Sequence, residues 1–229
     1  MSVRKSINRY LKKINYEIVK IDRFKNLLNS HYAKHGDFCF IQIGANDGVN
    51  FDHLYEFVTS RPCRGVVVEP LKAYFKKLQQ NYQYFPDITA RNIAVHSVDK
   101  TAIIYHVDPQ KLDKYSNNAA GIGSFDPAHH NGLNVAKEDV VEESVACLNL
   151  MDIVQESGFN KIDLLQIDVE GYDAEVVKMI DFNTIKPFII KYEHESLSSK
   201  DQSEVKQLLV ENGYQVFHQR TDTIAYYPV

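Results

Sequence analysis

Phe38-Cys39-Phe40-Ile41-Gln42-Ile43-Gly44-Ala45-Asn46-Asp47-Gly48 decides the fold. Its first six residues are a short, mostly apolar run with an aromatic and β-branched bias, which predicts a buried strand. Two glycines and an Asn-Asp pair end the run abruptly. Leu54, Phe57 and Val58 follow at spacings that share one helical face. Strand, tight turn and helix together predict the opening unit of a nucleotide-binding α/β fold. Gly44 can adopt backbone angles closed to other residues and lets a ligand lie against the main chain. Gly48 permits the turn into the helix. Gly44, Ala45, Asn46, Asp47 and Gly48 are therefore the first candidate ligand-binding residues.

The same stretch narrows the ligand. A dinucleotide fingerprint, G-x-G-x-x-G, lets the backbone approach a pyrophosphate. Here Asn46 holds the second glycine position, and Asp47 places a carboxylate at the predicted helix start, where it would repel a phosphate. No G-K-[ST] follows, so there is no P-loop. These features count against a nicotinamide oxidoreductase. A ligand with adenosine, no phosphate and a positive charge fits better, and S-adenosylmethionine is one. Gly65-Val66-Val67-Val68-Glu69-Pro70 predicts a second buried strand ending in a carboxylate. Glu69 stands about 20 residues beyond the glycine turn, the usual place for an acid that binds a ribose hydroxyl. Pro70 is expected to open the next helix, where its missing N–H does no harm.

Two later blocks complete a recognisable set: Asn92-Ile93-Ala94-Val95, and Asp163-Leu164-Leu165-Gln166-Ile167-Asp168-Val169-Glu170-Gly171. With the first two, in this order, they resemble the FkbM family of S-adenosylmethionine-dependent methyltransferases. The resemblance covers about residues 37–228. It implies a Rossmann-like class I methyltransferase sheet, mostly parallel, with an antiparallel C-terminal strand and helices on both faces. It implies S-adenosyl-L-methionine as cofactor and a hydroxyl of a small molecule, sugar or glycan as acceptor. It also carries Pro70, Asn92 and Ala94 over as cofactor neighbours, although Asn92 also reads as a turn residue bonding its own backbone. Gly121-Ile122-Gly123-Ser124 resembles a glycine-serine stretch at the same place in the family.

Ligands of open parallel sheets sit beyond the carboxyl ends of the strands. That rule gathers Gly44–Gly48, Glu69, Asn92, Asp168-Val169-Glu170 and Glu193-His194-Glu195. Methyl transfer from a sulfonium needs alignment, and a hydroxyl acceptor also needs a base. Asp168, Glu170 and His194 are the base candidates, with Asp168 also a cofactor neighbour. Glu170 reads equally as an N-terminal cap, and His194 as a strand-end histidine with satisfied bonds. Asp168 with Glu193 or Glu195 could supply oxygen ligands to a divalent ion, but the spacing does not require a metal. The competing reading is a methyltransferase-like binding module without catalysis.

Composition sets the remaining bounds. The chain has 229 residues and a net charge of −4, which argues against a general nucleic-acid surface. Cys39, Cys63 and Cys147 lack any C-x-x-C pattern and read as reduced thiols, so a cytoplasmic location is expected. No secretory signal or membrane-spanning apolar run is evident. A small-molecule or carbohydrate acceptor is the expected partner. Oligomeric state is not legible, and a homo-oligomer is compatible with the sequence.

The domain reading is an N-terminal amphipathic helical segment, 1–36, followed by a methyltransferase domain, 37–229. In the first, Ile14, Ile18, Ile21, Phe24 and Leu28 recur at helical spacing. Lys12, Lys13, Lys20, Arg23 and Lys25 beside that stripe leave a membrane-surface or partner helix as the alternative to packing on the sheet. Residues 108–137 hold prolines, glycines and asparagines and few buried-looking runs, which predicts a substrate loop or lid. His129-His130 within it reads as part of a solvated loop rather than as a metal site.

Overall fold

The structure is a computed structural model that describes residues 22–50, 54–98, 100–116, 119 and 121–228. The chain divides into two compact units, residues 1–36 and 37–229. Of the first, the described part is helix α1, Arg23–His35, on which Phe24, Leu28 and His31 are buried. Asp22 caps it, its carboxylate accepting the Lys25 N–H. The stripe positions Ile14, Ile18 and Ile21 lie outside the described residues.

The second unit is built on a seven-stranded sheet. In chain order its elements begin with β1 (Phe38–Ile43), α2 (Leu54–Thr59), β2 (Cys63–Val68), α3 (Lys72–Tyr82) and β3 (Ile88–Arg91). Next come β4 (Ala94–Val95), β5 (Thr101–Val107), β6 (Gly123–Ser124) and β7 (Val140–Leu148). The rest are α4 (Leu150–Ser157), β8 (Leu164–Ile167), α5 (Asp173–Lys178), β9 (Ile189–Glu193), α6 (Ser199–Glu211), β10 (Gln215–Gln219) and β11 (Asp222–Tyr226). The large sheet runs β10-β11-β9-β8-β1-β2-β3. Its strands are parallel except β11, which is antiparallel to both β9 and β10. Chain order reverses at β1, with β2 on one side and β8 on the other, which makes the ends of these strands a topological switch point.

Alternation along β1 sends side chains to two helical layers. Ile41 and Ile43 pack in a core with Leu150 and Ile153 of α4, Val176 and Val177 of α5, and Val205 and Leu209 of α6. Phe38 points the other way, edge-on to Phe57 of α2 at 5.1 Å. β1 is buried along its whole length, as expected of a parallel strand covered on both faces. Buried Asp163 accepts the Cys39 N–H at 2.7 Å and pairs with Lys161 at 3.3 Å.

The Asn92–Val95 block leads out of the large sheet: β3 ends at Arg91, and Ala94–Val95 joins a second sheet, ordered β4-β7-β5-β6. Residues 108–137 are less irregular than their composition suggests. Gly123–Ser124 pairs antiparallel with Tyr105–His106, and short 3₁₀ turns form at Leu112–Lys114 and His129–Leu133. Glycine and asparagine content alone does not distinguish a mobile loop from a folded one whose bonds are made to neighbouring strands.

Candidate active site

The carboxyl ends of β1, β2, β3 and β8 are stitched together by main-chain bonds. Gly44 and Ala45 donate to Val68 O at 3.0 and 2.8 Å, Glu69 donates to Arg91 O at 3.0 Å, and Asp168 donates to Ile43 O at 3.0 Å. At Gly44, with φ +77°, an added Cβ would lie 1.7 Å from the Asp168 carbonyl oxygen. Glycine is therefore required where β1 leaves the sheet, both for its backbone angle and for the close approach of β8.

Glu69 is buried at the end of β2. Its two oxygens accept the Asn46 and Leu71 N–H groups, both at 2.9 Å. Burial pushes its carboxyl up to about 7, against the lowering effect of those two bonds, while the charges of Glu143 and Asp47 add to the rise. A carboxylate has about four acceptor positions, so two N–H bonds leave room for a ligand diol. Pro70 precedes α3 rather than opening it; Leu71 is the cap. Asn92 does not bond its own backbone. Its Nδ2 donates to the carbonyls of Glu69 and Pro70 at 2.9 and 2.7 Å, fixing the turn that carries the acid. Ala94 is buried in β4.

Asp47 is buried and turned onto its own loop. It accepts the Val49 and Asn50 N–H groups at 3.0 and 2.8 Å and the Asn50 amide at 2.5 Å. Burial opposes ionisation, but these bonds hold its carboxyl below the usual range. Asn46 sits at φ 50°, and its amide donates to Gly121 O at 3.0 Å.

The second cluster lies at the ends of β8 and β9. Asp168 is exposed at the end of β8. Desolvation by the surrounding protein raises its carboxyl well above the ordinary range; Glu170 and Asp173 raise it further, and Lys191 partly offsets them. Glu170 has φ 51° and pairs with His129, Nε2 to Oε2, at 3.3 Å. It caps no helix, since the residue before α5 is Tyr172. The left-handed residue also ends the strand alternation that would have set Asp168 and Glu170 on one face.

Asp173, fully buried in the first turn of α5, was not anticipated from the sequence. Its carboxylate accepts the Val169 N–H at 3.3 Å and the Glu193 N–H at 3.1 Å, tying the exits of β8 and β9 together. Burial and then the Glu193 charge push it up to about 7. Its position, five residues after Asp168, was the available signal.

A family model, the methyltransferase FkbM domain, matches residues 42–216. The chain belongs to the FkbM methyltransferase family.

Solved structures of similar fold include an FkbM methyltransferase from Methylobacillus flagellatus KT, with a TM-score of 0.51 and 13% identity. The match covers 83% of this chain and 44% of that one, so the FkbM domain described here spans less than half of that protein. A precorrin-6y C5,15-methyltransferase from Geobacter metallireducens GS-15 has 12% identity, a TM-score of 0.46, and coverage of 92% and 90%. The Methanococcus jannaschii fibrillarin pre-rRNA processing protein has 12% identity, a TM-score of 0.42, and coverage of 83% and 66%. No curated protein sequence matches the chain.

The FkbM domain gathers Gly44–Gly48, Glu69, Asn92 and Asp168 at one switch point. His194 is placed differently. Its Nδ1 bonds Thr223 Oγ1 at 3.1 Å, and its ring lies 4.7 Å from that of His218, toward β10 and β11. It stands as a strand-end histidine bonded through Nδ1. The solvated reading of His129-His130 is corrected: His130 is 1% exposed, and the His129 side chain is 17% exposed against Glu170. Among the described residues, no group of three or more His, Cys, Asp or Glu is arranged to hold a metal ion, and no helix is long and apolar enough to cross a membrane.

The residues suit S-adenosylmethionine. The carboxyl end of the sheet carries Glu69, Asp168, Glu170 and Glu193, and Lys191 nearby pairs with Asp222 at 3.2 Å. This field favours a sulfonium cation and opposes a pyrophosphate.

Proposed function

We propose that this domain transfers a methyl group from S-adenosylmethionine to a hydroxyl of a small molecule, sugar or glycan. The observation that carries the reading is Asp168, exposed at the end of β8 beside the Gly44–Glu69 turn, with its carboxyl raised well above the ordinary range. When bound, the cofactor supplies a methyl group already activated on sulfur. Glu69 accepts the ribose hydroxyls, and the nucleoside lies along the turn at Gly44–Asn46. Asp168 accepts the proton of the acceptor hydroxyl at a carboxylate oxygen. The raised proton affinity makes it a better base near neutral pH than an ordinary carboxylate. Assays of labelled methyl transfer to matched hydroxyl, amine and thiol acceptors test the acceptor class. Transfer confined to amines or thiols would contradict the proposal.

Glu69→Ala is expected to weaken S-adenosylmethionine binding by about 1.5–3 kcal/mol, the size of hydrogen bonds to a charged group. The ribose hydroxyls bond the ionised form, so they lower a carboxyl that stands at about 7 in the free protein. Binding therefore releases protons and strengthens as pH rises through 7. Calorimetry in buffers of different ionisation heat reads both effects. An unchanged dissociation constant in Glu69→Ala would separate Glu69 from the ribose.

A further inference from the structure

Three side-chain bonds connect segment 121–130 to the ends of β1 and β8. Asn46 Nδ2 donates to Gly121 O at 3.0 Å, Ser124 Oγ donates to Glu170 O at 2.9 Å, and His129 Nε2 meets Glu170 Oε2 at 3.3 Å. Ser124 is 4% exposed, so its bond is shielded from water. Apolar contact adds to these bonds. Phe125 stands edge-on to Tyr172 at 5.0 Å and to His96 at 5.5 Å, while His96 and Tyr172 stack at 5.3 Å. Segment 121–130 thus binds the candidate cofactor turn at Asn46 and the acid turn at Glu170 at the same time.

We propose that His129 is a positioning residue that latches segment 121–130 across the cofactor and acceptor sides of the site by holding Glu170. Glu170 receives both anchors, Ser124 on its carbonyl and His129 on its carboxylate, and it sits in the left-handed region. Without a partner on its side chain, that conformation loses one of the contacts holding it. The negative groups around His129, namely Glu170, Asp126 and Glu193, favour its protonated form, and the Glu170 bond contributes most to its raised proton affinity. The pair is then charge-assisted and stronger than a neutral bond. Because the segment joins the candidate cofactor turn to the acid turn, loosening the latch should speed cofactor exchange.

The role of the latch in cofactor exchange rests on the proposed function, whereas the latch itself does not. Hydrogen exchange of the full chain reads the latch directly. In His129→Ala, amides of residues 123–130 should exchange about tenfold faster, with β8 amides Leu164–Ile167 unchanged. His129→Gln keeps a donor toward Glu170 and should recover part of the protection. Stopped-flow release of S-adenosylhomocysteine should quicken by a similar factor in His129→Ala. Unchanged protection in 123–130 would overturn the proposal, as would a loss that spreads equally into β8. If the wild-type chain binds no S-adenosylhomocysteine, the cofactor reading fails, and the exchange data alone decide the latch.

Discussion

Asp168→Asn is expected to lower turnover by about 10²–10⁴-fold, the usual contribution of a general base, while the fold persists. Asparagine matches aspartate in size but cannot take a proton. Neither a hydrogen bond nor an ion pair holds the Asp168 carboxylate among the described residues, so little packing is lost. The loss should fall on kcat. The wild-type rate should rise with pH along a limb displaced above the ordinary carboxylate range, because burial, Glu170 and Asp173 all favour the protonated acid. That limb should vanish in the variant. Full activity would remove Asp168 from proton transfer and leave Glu170, already tied to His129, as the next carboxylate to test.

The second large effect is structural. Gly44→Ala should destabilise the domain by at least about 3 kcal/mol, since a left-handed backbone alone costs an L-residue about 1–2 kcal/mol. Steric overlap adds the rest. The new methyl would stand 1.7 Å from the Asp168 carbonyl oxygen, and that atom belongs to the same residue whose N–H bonds Ile43 O. Relieving the clash means parting β1 from β8 at the site itself. Urea unfolding would show a lower midpoint at unchanged slope. A loss under about 1 kcal/mol would mean that the turn can move without cost, and that the close approach of the two strands is not essential.

Much of this was legible in residues 38–48. A buried apolar run followed by Gly-Ala-Asn-Asp-Gly leaves few folds open, and Glu69 falls where ribose-binding acids fall. β1, β2 and β8 were readable because strands buried on both faces are largely apolar runs. The course of the 121–130 segment was not readable. Its bonds run to Asn46 and Glu170, 75 and 46 residues away along the chain, and local composition contains no trace of such partners. His129 and His130 looked solvated for the same reason. Asp173 was missed because an acid in a first helical turn ordinarily serves the helix dipole; its use of Val169 and Glu193 as donors is a tertiary fact. His194 was placed correctly at a strand end, but side-chain direction there depends on Thr223 and His218, which arrive from the last two strands.

The central claim is that the Gly44–Glu69 turn and the exposed end of β8 at Asp168 form an S-adenosylmethionine site. Calorimetric titration of the full chain with S-adenosylmethionine, with NAD in parallel, tests it most directly. The account predicts micromolar binding of the first, with proton release near neutral pH, and no heat from the second. Binding of NAD, or of neither compound, would contradict it.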